Sequence, residues 1–264
     1  MPHHANTRVE EPANSSHTRT LRIPTADGRA DAFAAFPDGG EQHPGVLMYP
    51  DAFGLRPVLR EMARELSGHG YCVLVPNLYY RHGPAPVTDL PAYLGKEVRP
   101  AVFAQLMPLI EAHTPERALR DADAYLGFLT DRPEVSAGPV AAIGYCMGGA
   151  LAMRTAAAHP GRVAAVAGFH PSPLVTDAPE SPHHLFPEVR AQVHLGLAEG
   201  DMTPETFSAL NQALDAAGVR HTTEIQPGTV HGFTMSDTEA FDPAAVQRHW
   251  DCLLSLLGRT LTGS

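Results

Sequence analysis

The sequence predicts an α/β fold: a mostly parallel central sheet flanked by helices on both faces. Short apolar runs such as Val140-Ala141-Ala142-Ile143 alternate with longer segments of helical spacing through most of the chain. The runs are apolar throughout and do not alternate with polar residues, the mark of strands buried on both faces. The stretch Gly144-Tyr145-Cys146-Met147-Gly148-Gly149 joins one such run directly to the helix-prone residues 150–158. A length of 264 residues, 44% of them apolar, suffices for one large domain.

Residues 1–18 are rich in Asn, Ser, Glu and His and read as a flexible N-terminal tail, leaving a single domain over 19–262. Residues 19–24 and 29–37 form a hairpin turned by Ala26-Asp27-Gly28. Residues 45–50 are a buried strand with Asp51-Ala52-Phe53-Gly54 as the loop at its end. A helix over 58–66 stops at Ser67-Gly68-His69-Gly70, and 71–75 is the next strand. The Pro- and Gly-rich residues 82–96 are expected to roof a pocket. Helices near 98–112 and 115–130 precede the glycine-rich turn. A strand over 163–169, a proline-rich loop over 170–187 and a strand over 192–197 follow it. The chain closes with a helix over 204–217, a strand over 221–226 and a helix over 243–257, where Pro243 suits the first turn.

Composition narrows the class. A net charge of −10 argues against nucleic acid and anionic membrane surfaces as partners. No apolar run reaches the length of a membrane span, and the polar first twenty residues show no secretory signal. Cys72, Cys146 and Cys252 form neither a CxxC pair nor a disulfide ladder, as expected in a reducing cytoplasm. Fifteen histidines show no metal-binding motif, so no metal and no cofactor is expected. The expected partner is a small molecule, with the chain acting as monomer or homodimer.

Gly144 and Gly148 flank Cys146 at the spacing of a nucleophile elbow, with sulfur in place of oxygen. Such a turn lifts the central side chain above the sheet at a helix N-terminus, where dipole and free N–H groups favour a thiolate. Loops at the carboxyl ends of the other strands carry Asp201 and His231, the nucleophile–acid–base order of α/β-hydrolases. Cys146 would attack, His231 would shuttle the proton, and Asp201 would orient the imidazole. Thr203, not Asp201, is the nearer N-cap candidate for the helix at 204. The amides of Met147 and Ala52 are the candidate oxyanion donors. Asp51 beside them would repel an oxyanion, so it either faces away or touches Cys146. Cys72 and Cys252 read as core residues.

These residues resemble the dienelactone hydrolases (carboxymethylenebutenolidases), members of the α/β-hydrolase superfamily. The similarity runs from roughly 19 to 258 and rests on Tyr49 to Gly54, Pro76 to Arg81, Gly144 to Gly149, Gly196 to Asp201, and Val230-His231-Gly232-Phe233. The resemblance implies a Cys146–Asp201–His231 triad and a cofactor-free hydrolase of a lactone or small ester. It also implies an activating acid, Asp51 here, one methylene shorter than the family's Glu. Of the family's two carboxylate-binding arginines, Arg81 matches one and Met235 stands at the other, which implies a less anionic or larger substrate. Phe53, Tyr145, His170 and Phe233 are the remaining expected substrate contacts. Two alternatives remain open: a non-hydrolytic cyclisation or rearrangement with Asp51 and His231 as acid and base, and a non-catalytic ligand-binding homologue.

Overall fold

The computed structural model describes residues 16–263. β1 (Ser16–Thr25) and β2 (Gly28–Pro37) form the expected antiparallel hairpin. Ser16 pairs with Pro37, so the domain begins before residue 19; the rest of the expected tail, 1–15, lies outside the described residues.

The chain continues through β3 (Gly45–Tyr49), α1 (Pro57–Gly68), β4 (Cys72–Pro76), α2 (Arg99–Ala112) and α3 (Pro115–Thr130). β5 (Val140–Tyr145), α4 (Met147–Ala158), β6 (Val163–Phe169) and β7 (Gln192–Ala198) come next. α5 (Pro204–Ala216), β8 (His221–Gln226) and α6 (Pro243–Leu257) complete it. The sheet runs β1-β2-β4-β3-β5-β6-β7-β8, and every pair from β4 to β8 is parallel. The proline-rich loop after β6 is not wholly irregular: Pro182–Glu188 is a 3₁₀ turn that packs on α4 and α5.

Side chains alternate across each strand with period two, and this divides the core. Leu47, Leu74, Ala142 and Val166 pack with α3, α4 and α5. Val46, Met48, Val73, Ile143 and Ala167 pack with α1 and α6. α1 presents Val58, Leu59, Met62, Ala63 and Leu66 on one face, and each large member contributes about 1.5–3 kcal/mol by leaving water. Helix starts are fixed locally: Thr114, Thr203 and Asp242 accept N–H bonds in the following turn, each ahead of a proline. Among the described residues no helix is long and apolar enough to cross a membrane. The carboxyl ends of β3, β5, β7 and β8 therefore open on one edge of the sheet, where the loops carrying Asp51, Cys146, Asp201 and His231 meet.

Candidate active site

The turn from β5 into α4 is sterically committed to glycine. A Cβ on Gly144 would lie 2.0 Å from the Gly148 carbonyl oxygen, and one on Gly148 would lie 2.4 Å from that of Pro50. Without side chains there, α4 can start against the ends of β5 and β3. Cys146 takes φ 54°, ψ −125°, a left-handed setting that costs a non-glycine residue of order 1–3 kcal/mol. Its backbone is pinned on both sides, N–H to the Phe169 carbonyl (3.1 Å) and C=O from the Ser172 amide (3.2 Å). The thiol is half-buried and faces a narrow cleft that His231 and Asp51 also line.

Asp201 and His231 meet as expected. Asp201 Oδ1 accepts from His231 Nδ1 at 2.9 Å, and Oδ2 accepts the Ala198 amide at 3.1 Å, which fixes the carboxylate. With Nδ1 engaged, Nε2 is the ring nitrogen left for Cys146, which lines the same cleft. Burial opposes charge on His231, but hydrogen bonds to Asp201 and Cys146, and the charges of both, raise its pKa from 6.5 to about 10. Thr203 caps α5, which leaves Asp201 to the imidazole.

Asp51 lines the cleft, but both its oxygens belong to Arg56, at 2.6 and 3.0 Å. Arg56 also donates to Asp237 at 2.6 and 3.1 Å, so one buried guanidinium bridges two loops at the cleft. Burial acts against the charge of Arg56, and the two carboxylates outweigh it and raise its pKa. Ala52 also lines the cleft, and its carbonyl accepts from the Tyr79 hydroxyl at 2.9 Å. Burial, then the charges of Asp51 and Cys146, push the Tyr79 phenol far above its ordinary pKa, so it stays a donor. Met147 opens α4, where the first amides have no helical acceptor.

Phe53, His170 and Met235 line the cleft. His170 is fully buried at φ 40°, bonds Thr234 Oγ1 through Nε2 at 2.8 Å, and sets its ring 5.0 Å from that of His231. Burial, reinforced by the charges of His231 and His249, holds it well below its ordinary pKa and therefore neutral.

Three expected contacts are not made. Arg81 is drawn away by carboxylates: Asp121 takes both its terminal nitrogens at 2.7 and 2.9 Å, and Asp27 takes Nε at 2.9 Å. Tyr145 precedes the nucleophile and so projects to the other side of β5, where its hydroxyl meets His249 Nε2 at 3.0 Å in the core. Phe233 packs in a small apolar cluster with Ala198 and Ala245, behind the His170 ring. Residues 82–96 do not line the cleft either. α2 does, through Arg99 and Phe103. Cys252, expected in the core, is only half-buried.

Arg56, Tyr79, Arg99, Phe103 and Thr238 lie outside the site residues expected from the sequence. Two had a signal. Asp51 at a strand end needs a counter-charge, and Arg56 is the first basic residue after it. Tyr79 sits within a motif already singled out by resemblance.

The elbow with its strained cysteine, and the carboxylate-anchored imidazole lining the same cleft, sit on an α/β-hydrolase fold. The dienelactone hydrolase family model matches residues 30–261, and the chain belongs to that family. A Methylorubrum extorquens protein with the provisional name carboxymethylenebutenolidase is 26% identical over 95% of this chain and 84% of its own length. The carboxymethylenebutenolidase of Pseudomonas sp. strain P51 is 33% identical over 49% of this chain and 51% of its own. A crystal structure of a provisionally named dienelactone hydrolase from Klebsiella pneumoniae superposes with a TM-score of 0.81. It is 20% identical and covers 93% of this chain and 100% of its own.

Proposed function

We propose that this enzyme hydrolyses a lactone or small ester through an acyl-Cys146 intermediate. The observation that carries the reading is the Asp201–His231–Cys146 chain at the cleft, with Asp201 2.9 Å from the imidazole. Cys146 sulfur adds to the substrate carbonyl carbon while His231 takes the thiol proton. The amides of Ala52 and Met147 hold the resulting oxyanion. Collapse breaks the acyl C–O bond, and His231 returns the proton to the leaving oxygen. In a lactone that oxygen stays tethered to the acyl group. Water then attacks the thioester, His231 takes its proton, and the sulfur leaves and is reprotonated.

Asp51 accepts from Arg56 through both oxygens and from the Phe53 amide, which braces the loop of Ala52. The acid–base rearrangement reading needs Asp51 as a free carboxyl group, and its engagement with Arg56 speaks against that reading. The apolar lining of Ala52, Phe53, Phe103 and Met235 suits a small hydrophobic acyl group. Arg99 is the cleft's cation without an ion-pair partner among the described residues, and it takes the recognition role that Arg81 does not fill. The test is hydrolysis of a small aryl ester and of a lactone by the wild type and by Cys146→Ala and His231→Gln. Turnover lost in both variants supports the reading; turnover retained by Cys146→Ala overturns it.

A further inference from the structure

Away from the cleft, β7, β8 and α6 bring together three side chains of different chemistry. His194 on β7 and Glu224 on β8 share one face of the sheet: His194 lies opposite Thr222, and Gly196, two residues on, lies opposite Glu224. Cys252 reaches them from α6. Their ligating atoms all lie within 4.8 Å of one another. His194 Nε2 is 3.6 Å from Glu224 Oε1, and Cys252 Sγ is 3.3 Å from the same oxygen. We propose that His194, Glu224 and Cys252 form a binding site for a borderline-soft divalent cation of the zinc class.

The observation that points to a ligand is the state of His194. It is 4% exposed, and its Nε2 is buried with no hydrogen-bond partner while aimed at the carboxylate and the thiol. An imidazole serving only to complete a hydrogen-bond network would close on Glu224; this one stops short of bonding distance. Burial also favours the uncharged imidazole, which is the form that ligates.

Spacing and donor type agree. Tetrahedral zinc with bonds of about 2.0–2.3 Å sets its ligands roughly 3.3–3.8 Å apart, and both separations above fall in that range. One nitrogen, one oxygen and one sulfur donor favour zinc or cobalt over magnesium or calcium, which take oxygen alone. Three protein ligands leave a fourth position for water, and Cys252 is itself partly exposed. Arg248 donates to Glu224 Oε2 at 2.6 Å, and Gln226 Nε2 donates to Oε1 at 2.9 Å, so the carboxylate is held from outside while Oε1 also faces His194 and Cys252. The side chain of Arg248 is 56% exposed, so its charge is screened by solvent. Coordination exchanges the S–H bond of Cys252 for a sulfur–metal bond, and one proton passes to the buffer. Because the ligands come from three separate elements, the sequence carries no metal motif.

The test is titration of the full chain, stripped with a chelator, with cobalt(II) followed by absorption spectroscopy. One equivalent should give a tetrahedral spectrum with a thiolate-to-cobalt band, bleached by added zinc. Cys252→Ser should abolish that band, and His194→Gln should weaken binding by at least about tenfold, the loss of roughly 1.4 kcal/mol. Cys146→Ser should leave both unchanged, and circular dichroism should show each variant folded. A band that survives Cys252→Ser or vanishes with Cys146→Ser overturns the proposal, as does absence of binding at 1:1 stoichiometry. A folded His194→Gln variant with undiminished affinity also overturns it. None of these readouts depends on hydrolysis.

Discussion

Replacing Arg56 with methionine isolates the buried charge network under the cleft. The guanidinium is 3% exposed and donates four hydrogen bonds to two carboxylates, of which Asp51 is 6% and Asp237 19% exposed at the side chain. Methionine keeps most of the volume but leaves Asp51 buried without a counter-charge, a loss of about 3–5 kcal/mol. For a chain of this size that corresponds to roughly 6–20 °C in Tm at about 2–4 °C per kcal/mol. Urea unfolding followed by circular dichroism reads the change. Asp51→Asn in the Arg56→Met background should recover more than about 1 kcal/mol, because neighbours sharing one network are not additive. A loss below about 1 kcal/mol, or strict additivity in the double variant, would refute the role given to Arg56. Activity supplies a second readout. Loosening Asp51 frees the loop that carries Ala52, so kcat should fall more than KM rises.

Other outcomes follow from the same geometry. The folded pKa of His231, about 10, stands above its ordinary 6.5. The stabilising contribution of His231 is therefore complete below about pH 6.5 and lost as pH rises through about 10, and the stability difference between wild type and His231→Gln should shrink over that window. A difference constant with pH would contradict the assignment. Arg99→Gln should raise KM for a carboxylate-bearing ester by about 10–100-fold, the worth of one charge-assisted contact, and leave its neutral methyl ester unaffected. Arg81→Gln should lower Tm by uncovering buried Asp121 and leave that selectivity intact. Gly144→Ala should cost more than about 4 kcal/mol, since its Cβ meets backbone that cannot rotate aside. Gly161→Ala, with nothing within 4 Å, should be nearly silent by the same denaturation assay.

The strands were readable because residues such as Val140 to Ile143 and Val163 to Phe169 are apolar without interruption, which only a doubly covered sheet accommodates. The elbow was readable because Gly144 and Gly148 leave no room for any other residue. Asp201 and His231 followed as candidates from strand order once the elbow was placed, and the two meet at 2.9 Å. What escaped were pairings decided by distance in space. Arg81 was expected at the substrate from the family resemblance, but Asp27 on the hairpin and Asp121 on α3, far off in sequence, hold it. Arg99 and Phe103 reach the cleft only because α2 folds back over it, which no local pattern encodes. Tyr145 belongs to the elbow motif, yet period-two alternation sends it to the opposite face from Cys146.

A rapid acid quench during turnover of an aryl ester, followed by intact-mass and peptide analysis, tests most directly whether sulfur carries the acyl group. A mass increase equal to the acyl group is expected on the peptide containing Cys146 and not in Cys146→Ala. Turnover at full rate with no acyl mass on that peptide, or an adduct that persists in Cys146→Ala, would contradict it.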